Sequence, residues 1–502
     1  MQTMNQIARI GSRLLYVAGI AISLLSMSNV FRLTGVAIFV VLIFVFYKDR
    51  RSRCLASAGH TWIMNHVPLT LTFVVVLAFV ARIAYFILFS KTGKGFDSFQ
   101  NSDARVFVEM ASSMVNGAFP DTKSWMTTFI HSLVLHVASA SPFAGIAIVN
   151  FLFQIATAIL LFKIGRRISG TISGIFAFTV YLLSPSLILL MFRAIAESYY
   201  FLFLAFSFFV VLEYFNSYKA VWLTLIPVST WLVIWTRGEG VILLATIPLL
   251  FVVNVIFART ISHKRAVWHL VFVAVSLSVF ACAGRYVNLR FHGTHTMFCS
   301  NDNWWPRLFG SNVASKGRCT NKWAFGKGVS FTSDKALIVS RFAAEQGHDI
   351  KVSGMHCPEE LIPYIQTEIS NRWKSMSLIE KIKFMSRKLR FTFANPFWGS
   401  GQSEIGPFRK KLLYDSIFIP VLLFAIARFC VGTLRPCCMA NHSASFRAGL
   451  LPLAYLLGVT SIIAIAEANI RYGVILLVIL PLYSFTDNVG DSAILETDTR
   501  ES

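Results

Sequence analysis

Apolar blocks of roughly twenty residues recur along this chain, and they constrain its fold more than any other feature. A helix rises about 1.5 Å per residue, so a block of this length spans the roughly 30 Å of hydrocarbon in a bilayer. The chain of 502 residues is 55% hydrophobic and 14% charged, which is too apolar for the surfaces of soluble domains. The sequence therefore predicts an all-α polytopic membrane protein.

About twelve such blocks qualify as membrane-spanning helices. Their approximate positions are 14–29, 32–47, 67–90, 143–162, 171–190, 195–214, 220–235, 240–257, 267–284, 412–430, 449–466 and 470–485. They divide the chain into an N-terminal helical hairpin with its cytoplasmic loop (1–66), a membrane core (67–284) containing a first outer loop (91–142), a large extracytoplasmic segment (285–411), C-terminal membrane helices (412–485) and a tail (486–502). The tail is acidic and polar, and we expect it to be disordered and cytoplasmic.

Basic residues in the short loops predict the orientation. The loops 48–53, 163–167 and 258–265 are rich in Lys and Arg, and they fall on one side of the membrane if the N-terminus is cytoplasmic. Segments 91–142 and 285–411 are then extracytoplasmic. The excess of Lys and Arg in cytoplasmic loops, together with attraction to anionic headgroups, accounts for the net charge of +22. The expected partners are therefore membrane lipids, and no nucleic acid is expected.

Both outer segments contain sequences typical of interfacial helices. The stretch 125–140 is too short and too mixed in polarity to span the bilayer comfortably, which favours an interfacial or re-entrant helix. Residues 363–393 alternate Ile, Phe and Leu with Lys and Arg at helical spacing, as amphipathic helices on a membrane surface do. In the same segment, Cys299 and Cys319 are the preferred disulfide pair, on proximity alone, if the compartment is oxidising.

The stretch 95–120, directly after the third predicted span, contains candidate catalytic residues. Asp103 opens a helical pattern that places Phe107 and Ala111 on one face, and Asp97 precedes it. A carboxylate at the start of a helix on the outer surface can act as a general base, taking a proton from an acceptor hydroxyl that attacks a sugar carbon. Asp is also among the best helix-capping residues, and the local pattern alone favours that structural role.

This loop resembles the first outer loop of the GT-C superfamily of polyprenyl-phosphate-sugar-dependent glycosyltransferases. The likeness is closest to the branch of protein O-mannosyltransferases and lipid A aminoarabinose transferases (glycosyltransferase family 39-like). The branch pattern D-x-x-x-Y-x-x-x-A-x-x-x-x-x-G is similar to Asp103, Phe107, Ala111 and Gly117, with Phe in place of the commoner Tyr. The resemblance implies a GT-C-like fold and gives Asp103 the role of catalytic base. A second acidic residue often follows this aspartate in the mannosyltransferases, and here Ala104 stands in its place.

Further segments resemble the same family in the same order. A basic turn followed by small residues, 163–174, leads to 184–203, which is similar to the family's proline and Thr/Ser-Glu at the outer end of a helix pair. The sequence WTRGEG at 235–240 resembles its Arg-Pro-Glu-Gly segment, with Gly238 in place of proline. The stretch 467–482 resembles its Arg-Tyr-rich final helices, and two additional apolar spans precede the matching region.

Charged residues at the outer ends of predicted helices are further candidates, because a charge there is costly unless it is paired or faces a polar cavity. They are Arg193, Glu197, Arg237, Glu239, Glu467 and Arg471. Snorkelling or mutual salt bridges are the alternative explanation. In the functional interpretation Arg237 and Arg471 bind the donor phosphate, since a planar guanidinium pairs two phosphate oxygens. Alternative phosphate ligands, for which plain headgroup contact is favoured, are Lys383, Arg387, Lys388 and Arg390.

These patterns predict an enzyme that moves a hexosyl or pentosyl group, with inversion, from polyprenyl or dolichyl phosphate to a hydroxyl of a lipid, glycan or protein on the extracytoplasmic face. No cofactor is predicted, and histidine spacing does not indicate a structural metal, although a divalent cation at Asp103 is an open alternative by resemblance. The competing classes are a polysaccharide polymerase or ligase of the O-antigen type and, less favoured, a multi-span transporter. The expected location is a bacterial plasma (inner) membrane, with the endoplasmic reticulum membrane as the alternative.

Overall fold

The computed structural model describes residues 61–90, 94–100, 102–118, 124–258, 263–292, 304–312, 331–350, 352, 357–393, 450–465 and 475–483. Every regular element within these residues is helical, which confirms the predicted all-α class. The helices up to residue 292 are α1 (Val67–Phe89), α2 (Ser102–Val115), α3 (Trp125–Val137), α4 (Pro142–Ser169), α5 (Thr171–Leu183), α6 (Pro185–Met191), α7 (Glu197–Ser217), α8 (Ala220–Thr236), α9 (Leu243–Ala258) and α10 (His263–His292). Those that follow are α11 (Trp304–Ser311), α12 (Phe331–Gln346), α13 (Ile362–Lys374), α14 (Leu378–Phe393), α15 (Leu450–Ile465) and α16 (Ile475–Ile479). Short 3-10 helices occur at Gly95–Phe99, Gly238–Ile242, Glu359–Leu361 and Leu480–Tyr483.

Four of the described helices are long and apolar enough to cross a membrane, namely α1, α4, α7 and the stretch Val267–Arg290 of α10. The pair α5 and α6 makes a fifth if its two bent halves form one span. Large apolar side chains of α1, such as Phe73, Ile87 and Leu88, are exposed, as expected of a helix that faces lipid. These helices indicate a membrane protein.

The number of long spans among the described residues is smaller than the twelve predicted. Helix α8 and the stretches Gly238–Val252 and Leu450–Ser461 are apolar but shorter. The predicted spans 14–29, 32–47 and 412–430 lie outside the described residues.

The predicted span 171–190 is bent. Helix α5 ends at Leu183 and α6 begins at Pro185, and the two axes differ by 55°. Pro185 has no N–H to donate and disfavours helical geometry at the residue before it, so Ser184 is extended, with φ −63° and ψ 129°. Carbonyl groups near the bend therefore lose their helical partners, which is costly where no water is present.

Side chains of α1 and α4 bind the carbonyl groups at this bend. Arg82 of α1 donates to the carbonyl oxygen of Leu182 at 3.0 Å and to Oε1 of Gln154 at 2.7 Å. Gln154 of α4 in turn donates to the carbonyl oxygen of Leu187 at 2.8 Å. The buried charge of Arg82 thus has partners on two other helices, as a charge in an apolar core requires.

Asn150, one turn earlier in α4, extends this set of contacts towards α7. Its Nδ2 donates to the carbonyl oxygens of Met191 and Arg193, each at 3.0 Å. Arg193 lies four residues before Glu197, the first residue of α7. We call Arg82, Gln154 and Asn150 the polar ladder; it fixes the path of the chain from the bend into α7.

Helix α7 lies at the centre of the core, with α4 and α8 packed against it. Helices α4 and α5 approach each other closely at Gly165 and Gly174. A Cβ atom at Gly174 would lie 2.5 Å from the carbonyl oxygen of Phe162 and 3.2 Å from the backbone nitrogen of Arg166. The absence of a side chain allows the two helices to pack closely at this point.

Contacts at the C-terminal end of α7 show which connecting segments lie together. Glu213 pairs with Arg167 at 3.4 Å, and the hydroxyl of Tyr214 lies 2.6 Å from Nδ1 of His269. Arg167 belongs to the basic segment 163–167, which was predicted as a loop and which the structure places at the end of α4. The C-terminal end of α4 therefore lies at the end of α7 opposite to Glu197.

The segment predicted to be extracytoplasmic has a small core of its own, which we call the outer core. The buried side chains that form it, from α11 to α13 and the connections between them, are Trp305, Leu308, Ile338, Phe342, Cys357, Leu361 and Ile365. At its edge, Arg372 pairs with Asp334 at 2.7 Å and with Glu368 at 2.8 Å. The apolar face of α13 is thus covered by this outer core. The predicted disulfide partners Cys299 and Cys319 lie outside the described residues.

The predicted amphipathic stretch 363–393 is divided between α13 and α14. Ser377 and Glu380 begin α14 with a reciprocal cap. The N–H of Ser377 donates to the Glu380 carboxylate at 2.8 Å, and Oγ of Ser377 accepts from the N–H of Glu380 at 3.3 Å. Helix α14 packs on α15, and Leu378 and Ile379 are exposed in its first turn.

Candidate functional site

Arg237 connects α7 to the segment that follows α8. Its Nη1 donates to Oε1 of Glu197 at 2.8 Å, while Nε and Nη2 donate to the two carboxylate oxygens of Glu239 at 3.2 and 3.0 Å. The side chains of Arg237, Glu197 and Glu239 are 17%, 4% and 18% exposed. The structure thus brings together three of the predicted site residues, which we call the Arg237 cluster.

The backbone after α8 folds sharply to form this cluster. Arg237 is extended (φ −151°, ψ 138°), and the 3-10 helix Gly238–Ile242 follows it directly. A Cβ atom at Gly240 would lie 2.8 Å from the backbone nitrogen of Ile234. Glycine at this position therefore allows the 3-10 helix to lie against α8, which places Glu239 beside Arg237.

Two tyrosines support the cluster from α7 and α15. The hydroxyl groups of Tyr200 and Tyr455 are 2.6 Å apart, and Tyr455 donates to the carbonyl oxygen of Glu239 at 3.2 Å. Because Tyr455 has a single hydroxyl proton, Tyr200 is the donor between the two. The guanidinium of Arg237 lies 5.6 Å from the centre of the Tyr200 ring, within the range of a cation–π contact.

The charges of the Arg237 cluster do not cancel. Glu197 and Glu239 contribute two carboxylates to a single guanidinium, so the three side chains sum to a formal charge of −1 when all are ionised. Mutual salt bridges were the predicted alternative to a functional role for these charges, and these three side chains form such bridges. A phosphate that binds Arg237 has to compete with these carboxylates.

Gln100 joins the first outer loop to the segment that enters α7. Its Nε2 donates to the carbonyl oxygen of Phe192 at 2.7 Å, and its Oε1 accepts from the N–H of Ala194 at 3.2 Å. Asp103 is three residues after Gln100, and Glu197 is three residues after Ala194. The backbone of Asp103 and that of the Arg237 cluster therefore lie at the same end of the helix bundle.

Helix α2 presents the face predicted from its sequence to the core. Ala104 and Ala111 are fully buried, and Phe107 packs against the main apolar core. Asp103 is the second residue of α2, so it lies in the first turn rather than at the capping position. The positive end of the helix dipole stabilises a carboxylate in this turn.

A second contact ties the outer loop to α8. Oγ of Ser124, the residue before α3, donates to the carbonyl oxygen of Thr236 at 2.7 Å. Thr236 directly precedes Arg237. Gln100 and Ser124, on either side of α2, thus attach the first outer loop to segments that carry the Arg237 cluster.

The other predicted site residues lie elsewhere. Asp97 is exposed in the 3-10 helix before α2, and Arg193 is buried in the turn before α7. Lys383 and Arg387 are exposed on α14. Lys388 on the same helix is buried, with its Nζ 5.4 Å from the Phe384 ring centre. Glu467 and Arg471 lie outside the described residues.

Several residues that shape the site were not identified from the sequence. Arg82 is a charge in the middle of an apolar block, and this position alone could have identified it as a residue with buried partners. Tyr455 gave no signal, because its role depends on α15 packing against the segment after α8. Asn150 and Gln154 are polar positions in an apolar block, but their partners depend on the bend at Pro185.

Within the described residues, no group of three or more His, Cys, Asp or Glu side chains is placed to hold a metal ion. The chain matches no model of a known protein family, and no curated protein is similar enough to count as a relative.

Proposed function

We propose that the protein is a membrane glycosyltransferase of the GT-C type with about twelve spans. It transfers a hexosyl or pentosyl group from polyprenyl or dolichyl phosphate to a hydroxyl of a lipid, glycan or protein on the extracytoplasmic face. The observation that supports this most is the contact of Gln100 with Phe192 and Ala194, because it holds the segment of Asp103 beside the segment of the Arg237 cluster. The proposed location is a bacterial plasma membrane, with the endoplasmic reticulum as the alternative.

In the proposed reaction the acceptor oxygen attacks the anomeric carbon of the sugar from the face opposite to the phosphate. The bond between that carbon and the phosphate oxygen breaks, and its electron pair leaves with the lipid phosphate. Asp103 takes the proton of the acceptor hydroxyl, and the configuration at the anomeric carbon inverts. Arg237 stabilises the charge that develops on the departing phosphate.

The carboxylates of the Arg237 cluster hold the guanidinium in place before the donor binds. A phosphate offers two oxygens in the same arrangement as a carboxylate, so it can replace Glu239 on Nε and Nη2 while Glu197 keeps Nη1. In this scheme the phosphate has to displace the Glu239 carboxylate from Arg237. The variant Glu239→Gln removes that negative charge and is therefore expected to tighten donor binding.

The decisive experiment is transfer of labelled sugar from polyprenyl phosphate in membranes that contain the full chain or a variant. Asp103→Asn is expected to lower the rate by at least about a hundredfold, the usual contribution of a general base. Glu109→Gln is the matched control, since Glu109 is an exposed carboxylate on the same helix. Full activity of Asp103→Asn at normal expression contradicts the base assignment and favours a polymerase or ligase.

A further inference from the structure

One face of α3 carries buried polar side chains that have no hydrogen-bond partner among the described residues. Thr127 and His131 are four residues apart, so they share a helix face, and both are fully buried. Within the described part of the chain, neither the Thr127 hydroxyl nor either ring nitrogen of His131 has a hydrogen-bond partner. A buried polar group left unpaired destabilises the folded protein, so native proteins keep few of them.

The first turn of α7 adds a third group at the same place. The ring centres of His131 and Tyr199 are 5.4 Å apart, with the planes at 71°. The Tyr199 hydroxyl is also buried, and no described residue pairs with it. Tyr199 lies two residues after Glu197 and directly before Tyr200. Three polar side chains that lack a partner among the described residues therefore lie where α3 faces the first turn of α7.

The chemistry of these groups favours a neutral ligand with several hydroxyls. Burial lowers the pKa of His131 to about 3, so at neutral pH one ring nitrogen donates and the other accepts. The hydroxyls of Thr127 and Tyr199 can also donate and accept. Because none of the three is charged at neutral pH, they do not balance the charge of a phosphate or a metal ion.

Two further aromatic rings lie against His131 and Tyr199. Phe107 meets His131 edge-on with ring centres 6.3 Å apart, and Phe153 meets Tyr199 edge-on at 5.4 Å. Apolar walls with a few well-placed polar groups are the usual composition of a small-molecule site. Phe107 is one helical turn after Asp103, so this surface adjoins the helix of the proposed base.

We propose that Thr127, His131 and Tyr199 form a subsite that binds the hydroxyl groups of a sugar. The inference rests on the proposed function in one respect, which is that the sugar is the one carried by the lipid phosphate. Hydroxyl groups of a bound sugar supply the hydrogen-bond partners that the described residues lack. Buried water is the competing occupant, and the binding experiment below separates the two.

The first test compares stability without ligand. Tyr199→Phe removes a hydroxyl that no described residue pairs with, so the melting temperature of the purified full chain is expected to stay the same or rise. Tyr214→Phe is the control on the same helix, since its hydroxyl lies 2.6 Å from Nδ1 of His269, and it is expected to lower the melting temperature. Equal losses in both variants mean that Tyr199 has a structural partner, which overturns the subsite.

The second test measures binding to the full chain in nanodiscs with three probes. They are undecaprenyl phosphate, undecaprenyl phosphate carrying one hexose, and the methyl glycoside of that hexose. We expect the hexose-bearing lipid to bind about tenfold more tightly than the bare lipid, the effect of one or two neutral hydrogen bonds. Tyr199→Phe and Thr127→Val are each expected to reduce that difference and to leave binding of the bare lipid unchanged.

The outcomes separate the subsite from the proposed function. Equal binding of both lipids by wild type and variants overturns the subsite and leaves the phosphate assignment intact. Binding of the methyl glycoside that depends on Tyr199, without binding of either lipid, supports the subsite and contradicts the lipid-phosphate donor. Binding of none of the three probes overturns both and assigns the unpaired groups to water.

Discussion

The guanidinium of Arg82 donates a 2.7 Å hydrogen bond to the side-chain oxygen of Gln154, and both residues are fully buried between α1 and α4. A charge at this depth is commonly interpreted as part of a transport path. Here its partners are Gln154 and backbone carbonyl groups at a bent helix. Arg82 therefore has a structural role that positions the start of α7.

The polar ladder gives a prediction about stability. Gln154→Leu leaves the Nη2 group of Arg82 and the carbonyl oxygen of Leu187 without this partner, at a cost of about 1–3 kcal/mol for each buried group. The melting temperature of the detergent-purified protein is expected to fall clearly. Thr230→Val is the control, because among the described residues its buried hydroxyl bonds the carbonyl of Ile226 in its own helix, and a much smaller change is expected. Equal changes in the two variants would show that the ladder contributes little.

The Arg237 cluster is expected to show strong coupling in a double-mutant cycle. Arg237→Met breaks the 2.8 Å ion pair with the buried Glu197 carboxylate, and breaking a buried ion pair typically costs about 3–5 kcal/mol. Glu197→Gln removes that charge, so the double variant should be less destabilised than the sum of the singles by about 1–3 kcal/mol. Thermal unfolding of the four proteins measures the coupling. Additive losses would mean that the two side chains do not interact in the folded protein.

Tyr455→Phe tests the support given by α15. The substitution removes the donor to the Glu239 carbonyl and the acceptor of the Tyr200 hydroxyl, while the ring still fills its place. We expect a loss of stability of about 1–3 kcal/mol and a rise in KM for the lipid donor. Tyr200→Phe removes the hydroxyl that donates to Tyr455, so it should have a smaller effect on KM. A larger effect of Tyr200→Phe contradicts the assigned direction of the hydrogen bonds.

The outer core is expected to lose stability in acid. Burial alone raises the pKa of Glu368, but hydrogen bonds and charges of Arg372 and Arg341 outweigh it, and the pKa is lowered from its ordinary value of 4.5. A carboxyl whose folded pKa is lowered stabilises the protein above its unfolded pKa, and that stability is lost as pH falls below about 4.5 through the folded pKa. Hydrogen exchange across α12 and α13, corrected for the intrinsic rate, should increase in this range.

Two variants make the acid prediction specific. Glu368→Gln removes the titrating group, so the pH dependence of exchange in α12 and α13 should become weaker. Glu380 also has a lowered pKa, caused first by the backbone N–H of Ser377, but it caps α14 outside the outer core. Glu380→Gln should therefore leave exchange in α12 and α13 unchanged. An unaltered pH profile in Glu368→Gln assigns the effect to another residue.

The close contact of α4 and α5 predicts intolerance of larger side chains. Gly174→Leu adds a branched chain where a single Cβ atom already lies 2.5 Å from the carbonyl oxygen of Phe162. The helices have to separate, and we expect a loss of more than about 3 kcal/mol or a failure to fold. Ala283→Leu on the exposed surface of α10 adds a similar volume and should be tolerated. Yield and melting temperature of the two variants measure the difference.

The sequence predicted helices well where one periodic pattern determines them. The face of α2 that contains Phe107 and Ala111 packs on the core as expected, and the short segment 125–140 forms the helix α3. Pro185 indicates a bend, because proline breaks the hydrogen bonding of a helix. The prediction of a span at 171–190 followed the continuous apolar block and did not include the bend.

The contacts between distant segments could not be read from the sequence. Arg237 and Glu197 are 40 residues apart, and Tyr200 and Tyr455 are 255 residues apart. Each pair forms only because the ends of several helices meet in one place. A charge at a helix end identifies a candidate residue, whereas its partner depends on the packing of the whole bundle.

The outer core has a consequence for how such a chain can change over time. Trp305, Ile338 and Ile365 pack within residues 304–374, and Arg372 pairs with acidic residues of the same segment. A segment stabilised by its own interior can accumulate substitutions, or be exchanged between related chains, without repacking the polar ladder or the Arg237 cluster. This part of the chain can therefore diverge while the packing of the membrane core stays the same.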